Sequence, residues 1–140
     1  MCVLCNAVNE EHRVIKQTKY SFCIICLDPL KLWHVMVLPK RHVTQTTMSD
    51  LTAEESKDII TLLDEMQEVI ENLTDESAVI LKNNWKHITQ AHLHFHIFPS
   101  KWYLRNLVGN YENIAERVSI SEKKYIEMRD IIQSKLINKE

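Results

Sequence analysis

From Ala91 to Phe98 the chain alternates imidazole with apolar side chains: His92-Leu93-His94-Phe95-His96-Ile97-Phe98. A period of two is the mark of an extended strand, because residues two apart point to the same face. His92, His94 and His96 are therefore expected to line one side, spaced by roughly 6–7 Å. Leu93, Phe95 and Ile97 would pack the core from the other side. An all-imidazole face adds little stability, since histidines titrate near ~6.5 and repel once charged. Clusters of titratable groups mark sites more often than they decorate a surface. Three readings follow from the residues alone. The histidines are solvated on an exposed strand, or His-x-His ligates a metal, or an imidazole attacks phosphorus and splits one displacement into two. Spacing does not choose between them.

The rest of the chain supplies a sheet for that strand. Val14–Gln17 and Tyr20–Leu27 are rich in β-branched and aromatic residues and read as strands joined near Thr18-Lys19. A third, His34–Leu38, is stopped by Pro39. Thr52-Ala53-Glu54-Glu55 has the capping-box pattern of a helix start. Behind it Ile59, Leu62, Leu63, Met66, Ile70 and Leu73 recur at helical spacing. Ala78–Lys82 and His92–Phe98 are further strands. Ser121 is expected to cap a last helix whose inner face carries Tyr125, Met128, Ile132 and Leu136. The predicted class is α+β: a mainly antiparallel sheet of about five strands, one long central helix and a C-terminal helix.

With 140 residues, no internal repeat and no Pro/Gly/Ser linker, residues 1–140 are expected to form a single domain, with 101–140 as a C-terminal extension carrying a helix. The formal net charge of −2 gives no support for nucleic-acid binding, which favours a basic excess. No apolar run approaches the ~20 residues of a membrane span. Met1-Cys2-Val3-Leu4-Cys5 lacks the charged and apolar regions of a signal peptide, so the expected location is cytoplasmic. The single glycine, Gly109, excludes any glycine-rich phosphate loop. Side chains and ordinary backbone must handle phosphate if phosphate is bound.

The run His92–Phe98 resembles the signature of the histidine triad (HIT) family, in which three histidines alternate with apolar residues. Trp33-His34-Val35-Met36-Val37-Leu38-Pro39-Lys40-Arg41-His42 resembles the same family's strand bearing a histidine and ending in Pro-Lys before a further histidine. The likeness spans roughly residues 1–100 and implies a HIT-like fold. It also implies hydrolysis or transfer at the α-phosphate of nucleoside phosphoramidates, dinucleoside polyphosphates or adenylylated groups, through a nucleotidyl-histidine. The expected partner is a purine nucleotide or nucleotide conjugate, and a homodimer is expected by analogy. By position His94 would be the nucleophile, His96 would bind phosphate oxygen or the leaving group, and His34 would orient near the triad. Asp28 would hold ribose hydroxyls. Relatives carry Gly-Gln before the triad, where this chain has His87-Ile88, and glycine where it has Trp33. Asn83, Asn84, Thr89 and Gln90 are candidate replacement donors. The alternative reading is a non-catalytic or weakly catalytic nucleotide-binding module on the same fold.

Cys23 and Cys26 lie on an apolar strand, where residues three apart face opposite sides, and read as buried thiols. Cys2 and Cys5 sit in a terminus expected to be flexible. The resemblance implies the zinc-binding bacterial-type branch, with structural Zn2+ held by Cys2, Cys5, His42 and His92 in a closed tetrahedral site. An unmetallated pair of reduced thiols stays open as the other reading.

Overall fold

The computed structural model describes residues 2–45, 47–84, 90–102, 104–112 and 119–137. The chain forms two compact units, Met1–Tyr103 and Leu104–Glu140.

The first unit is an α+β layer structure. Strands β1 (Val14–Gln17), β2 (Ser21–Ile25), β3 (Val35–Pro39), β4 (Ser77–Leu81) and β5 (Phe95–Ser100) form one sheet in the order β1-β2-β3-β5-β4, with every pairing antiparallel. Helix α1 (Val3–Asn6) precedes β1, and helix α2 (Ala53–Thr74) lies between β3 and β4.

Helix α2 starts where the sequence predicted. The Thr52 side chain accepts from the Glu55 N–H, and the Glu55 carboxylate accepts from the Thr52 N–H, so both halves of the capping box are present. It ends with Asp75 in the left-handed region at φ 56°, which a short polar side chain tolerates. Ile59, Leu62, Met66 and Ile70 are buried against Cys23, Val35, Val37 and Ile97 of the sheet. Leu63 is partly buried there, whereas Leu73 is exposed.

Strand parity sends the alternate residues to the opposite face. Phe22, Ile24, Cys26, Met36 and Leu38 pack there against Leu4 and Ala7. The N-terminus is thus a short helix docked on the sheet rather than a flexible arm, because Leu4 and Ala7 bury apolar surface. Cys23 and Cys26 are buried on opposite faces, and burial pushes the Cys23 thiol up to about 11.

The triad segment departs from one continuous strand. The β3–β5 ladder runs from Val35↔Ile97 to Val37↔Phe95 and stops, near Pro39, which has no N–H to offer. Upstream the segment changes partner. Leu93 N–H donates to the Val43 carbonyl and Gln45 N–H to the Ala91 carbonyl, with an isolated bridge between Thr44 and His92. Regular β5 therefore begins only at Phe95.

The second unit contains α3 (Leu104–Glu112) and α4 (Glu122–Ile137). Lys124 N–H donates to Ser121 Oγ, the expected cap. The expected inner face is corrected: Tyr125, Met128, Ile132 and Leu136 are all exposed. Ile126 and Ile131 are exposed on the flanks of that stripe as well, so the apolar residues do not define one side. Among the described residues, no helix is long and apolar enough to cross a membrane.

Candidate functional site

His34 and His96 meet on the sheet face away from α2. His34 has the parity of Met36 and Leu38, and His96 pairs across the ladder with Met36. Hydrogen-bond partners assign the tautomers. The Leu30 N–H can only donate, and it does so to His34 Nδ1 at 2.9 Å. His34 therefore carries its proton on Nε2 and donates to His96 Nδ1 at 2.9 Å. That leaves the His96 proton on Nε2. Burial lowers the His34 pKa. Burial, followed by the neighbouring His94 and His34, holds His96 down at about 4. Both rings are consequently neutral at pH 7, as this chain of donors requires.

His94 stands beside them, its ring centroid 5.0 Å from that of His96. Its Nδ1–H donates to the His92 carbonyl at 2.8 Å, which puts the lone pair on Nε2, where it has no hydrogen-bond partner among the described residues. The three rings line a cavity of about 470 Å3 with Asp28, Asn83 and Gln90 among its walls. Asp28 is thus brought to the histidines. Asn84 is not. It is exposed and its Oδ1 accepts from Lys82, while the preceding residue, Asn83, takes the wall position. Thr89 and the His87-Ile88 pair lie outside the described residues. Arg41 is committed elsewhere, in a two-pronged pair with Glu55.

The first triad histidine belongs to a second cluster. One ligand atom each from Cys2, Cys5, His42 and His92 lies within 4.8 Å of the others. His92 Nδ1 is 3.6 Å from Cys2 Sγ and 3.3 Å from Cys5 Sγ, and His42 Nδ1 is 3.3 Å from Cys5 Sγ. A tetrahedral ion with bonds of ~2.3 Å to sulfur and ~2.0–2.1 Å to nitrogen needs sulfur–nitrogen separations of about 3.5 Å. The donor set fits a metal ion. His92 Nε2–H donates to the Pro39 carbonyl at 2.8 Å, which keeps Nδ1 as the lone pair facing the thiols. Cys2 caps α1 and its sulfur accepts the Cys5 N–H. His92, His94 and His96 therefore do not converge on one ion.

Sequence reasoning missed Gln45. This side chain is fully buried. Its Oε1 accepts the His94 N–H at 2.8 Å, and its Nε2 donates to the Asn83 carbonyl at 2.8 Å. The carboxamide replaces the peptide group of the absent neighbouring strand. Gln45 lies in the polar run Thr44-Gln45-Thr46-Thr47, and nothing in that run distinguishes it. Arg13, which also lines the cavity, is fixed by Glu10 and the Ile25 carbonyl.

A five-stranded antiparallel sheet, covered by one helix and bearing linked imidazoles on its other face, is the architecture of a histidine-triad protein. The chain belongs to the HIT domain family, whose profile matches residues 7–102. It is 35% identical over 92 residues to bis(5'-nucleosyl)-tetraphosphatase [asymmetrical] of Schizosaccharomyces pombe, covering 64% of this chain and 50% of that one. It is 26% identical over 104 residues to adenosine 5'-monophosphoramidase of Saccharomyces cerevisiae, covering 71% and 63%. The chain thus spans less than two thirds of either relative. The fold is shared with a histidine triad nucleotide-binding protein of Candida albicans at TM-score 0.72 and 17% identity, over 100% of both chains. A HIT family protein of Bacillus anthracis superposes at TM-score 0.70 and 18% identity, over 99% and 96%.

Proposed function

We propose that this protein is a nucleotide hydrolase or nucleotidyl transferase that works through a nucleotidyl-His94 intermediate. The observation that carries the reading is the His94 tautomer, with Nδ1–H held by the His92 carbonyl and Nε2 left as a lone pair at the cavity. His94 Nε2 forms a bond to the α-phosphorus as the bond to the leaving group breaks. His96 Nε2–H donates to a phosphate oxygen or to the leaving group, and His34 holds that proton in place through its bond to His96 Nδ1. Water then breaks the nitrogen–phosphorus bond and regenerates His94. Two relatives named as a dinucleoside tetraphosphatase and an AMP phosphoramidase support this substrate class. Asp28 would take ribose hydroxyls, with Asn83 and Gln90 near phosphate.

The proposed partner is a purine nucleotide or nucleotide conjugate. Cys2, Cys5, His42 and His92 would hold Zn2+ in a closed site that anchors the N-terminus, as in the zinc-binding branch. Its full ligand set leaves no position for substrate. We take residues 1–140 as a HIT domain with 101–140 as its extension, in a reducing, cytoplasmic setting that suits four free cysteines. A homodimer would use β4, an edge strand exposing Ile80 and Leu81.

The test is mass spectrometry after mixing with an AMP phosphoramidate or AMP-lysine. A nucleotidyl adduct on His94, lost in His94→Ala while AMP still binds, is the expected result. Tight AMP binding by calorimetry with no adduct and no turnover would instead identify a nucleotide-binding module.

A further inference from the structure

A second group of metal-ligating atoms lies apart from the Cys2/Cys5/His42/His92 cluster. One atom each from Cys26, His34 and His96 falls within 4.8 Å of the others. These are a thiol, buried on the β2 side, and the linked imidazole pair. All three line the 470 Å3 cavity, which opens to ligands of nucleotide size. A thiolate with two imidazoles selects zinc, cobalt(II) or copper(I) over magnesium or calcium. With three protein ligands and a cavity beyond them, the fourth position falls to water or a phosphate oxygen.

We propose that Cys26, His34 and His96 form a second, weaker site for a thiophilic divalent cation, and that filling it breaks the His34-to-His96 bond that positions the His96 donor. The pair is self-bonded, so the cation must compete with existing hydrogen bonds. Its nitrogens stand 2.9 Å apart and must open by about 0.4 Å to reach the spacing of two imidazoles on a tetrahedral ion. His34 must move its proton from Nε2 to Nδ1, which sacrifices the Leu30 amide bond. His96 binds through the Nδ1 lone pair that accepted from His34, and keeps Nε2–H. The Cys26 thiol, raised by burial, releases one proton to solvent. These costs place the site below the four-ligand cluster in affinity, so it fills second. Once it is filled, the His34-to-His96 hydrogen bond is gone.

The test is a cobalt(II) titration of the full chain, followed by absorption, with buffer-dependent calorimetry in parallel. The first equivalent brings two thiolates to cobalt and the second brings one. The second thiolate-to-cobalt band should therefore be about half the first, with one proton released by Cys26. Cys26→Ser and Cys26→Ala should lose the second band and retain the first, which also reports that each variant is folded. These results do not depend on the reaction assigned above. The inhibition does: excess Zn2+ should suppress wild-type turnover at least tenfold, chelation of the excess should restore it, and whatever turnover Cys26→Ser retains should be the same with and without zinc. A single band at any excess of cobalt overturns the site. Equal zinc inhibition of wild type and Cys26→Ser, or inhibition by Mg2+ at the same concentration, overturns the switch. If no variant or wild type turns over any nucleotide, the proposed reaction fails while the cobalt bands still decide the site.

Discussion

Replacing Gln45 by methionine tests whether a side-chain amide stands in for a missing strand beneath His94. Methionine keeps the length and the burial but removes both polar ends. The His94 N–H, buried with its residue, loses its acceptor at 2.8 Å. A buried donor left unpaired costs about 1–3 kcal/mol. The Asn83 carbonyl also loses a partner, but Asn83 is exposed, so water replaces most of that bond and the further loss is at most ~1 kcal/mol. The sum is about 1–4 kcal/mol, and at ~4–8 °C per kcal/mol for a unit near 100 residues Tm should fall by at least ~4 °C. Turnover should fall further than stability implies. Residues 92–94 lie outside the β5 ladder, and a misplacement of ~1 Å at a reacting group costs on the order of 100-fold. KM should change less than kcat, because Asp28 and Gln90 are untouched and only Asn83 loses a tether. Thermal unfolding by circular dichroism, read beside kcat and KM on an AMP phosphoramidate, measures both effects. Wild-type kcat with a stability loss below ~0.5 kcal/mol would refute the role given to Gln45.

Trp33 has φ 71°, a left-handed conformation that costs a residue bearing Cβ about 1–2 kcal/mol. Trp33→Gly removes that strain, offset by ~0.5–1 kcal/mol of backbone entropy, so urea unfolding should show stability unchanged or raised by up to about 1.5 kcal/mol; a clear loss would mean the indole holds the loop. Glu55 is buried, and the Arg41 guanidinium bonded to it holds its carboxyl below the usual carboxylate range. A carboxyl depressed on folding stabilises fully above its unfolded pKa of about 4.3, and that contribution is lost as pH falls through the lower folded value. Glu55→Gln should therefore flatten the acid limb of the stability–pH curve below pH ~4.5, and an unchanged limb counts against the pair. Chelation of a zinc-loaded sample should lower Tm, with activity lost only as the protein unfolds; immediate loss of turnover on a folded protein would show a catalytic metal.

Local chemistry made α2 legible, because capping box and apolar stripe both act within one element. The strands were legible to within about two residues for the same reason, except β5, which begins three residues after the predicted start at His92. What the sequence could not supply was partnering. Nothing in His92–Phe98 reveals that the segment trades β3 for residues 43–45, since that depends on where Pro39 ends one ladder and how Gln45 fills the gap. The shift from Asn84 to Asn83 at the cavity wall has a similar origin. Which of two neighbouring asparagines lines the cavity depends on how the chain leaves β4, and both look alike in the sequence. Tyr125, Met128, Ile132 and Leu136 made a plausible helical stripe, yet Ile126 and Ile131 blur it, and all six are exposed.

His92 is where the two halves of the site become one object. Its ring belongs to the cysteine cluster, turned there by the Pro39 carbonyl, and its own carbonyl sets the tautomer of His94. A residue with both ends committed cannot rotate to suit one without disturbing the other. The alternation of three histidines is therefore a requirement on spacing more than on identity. The first must reach the thiols, the second must sit two residues on to donate to the first one's carbonyl, and the third must fall within the regular ladder opposite Met36 to meet His34. A strand alone would satisfy only the last of these. Leaving the ladder before Phe95 satisfies the other two, and Gln45 supplies the hydrogen bonds that leaving would otherwise forfeit.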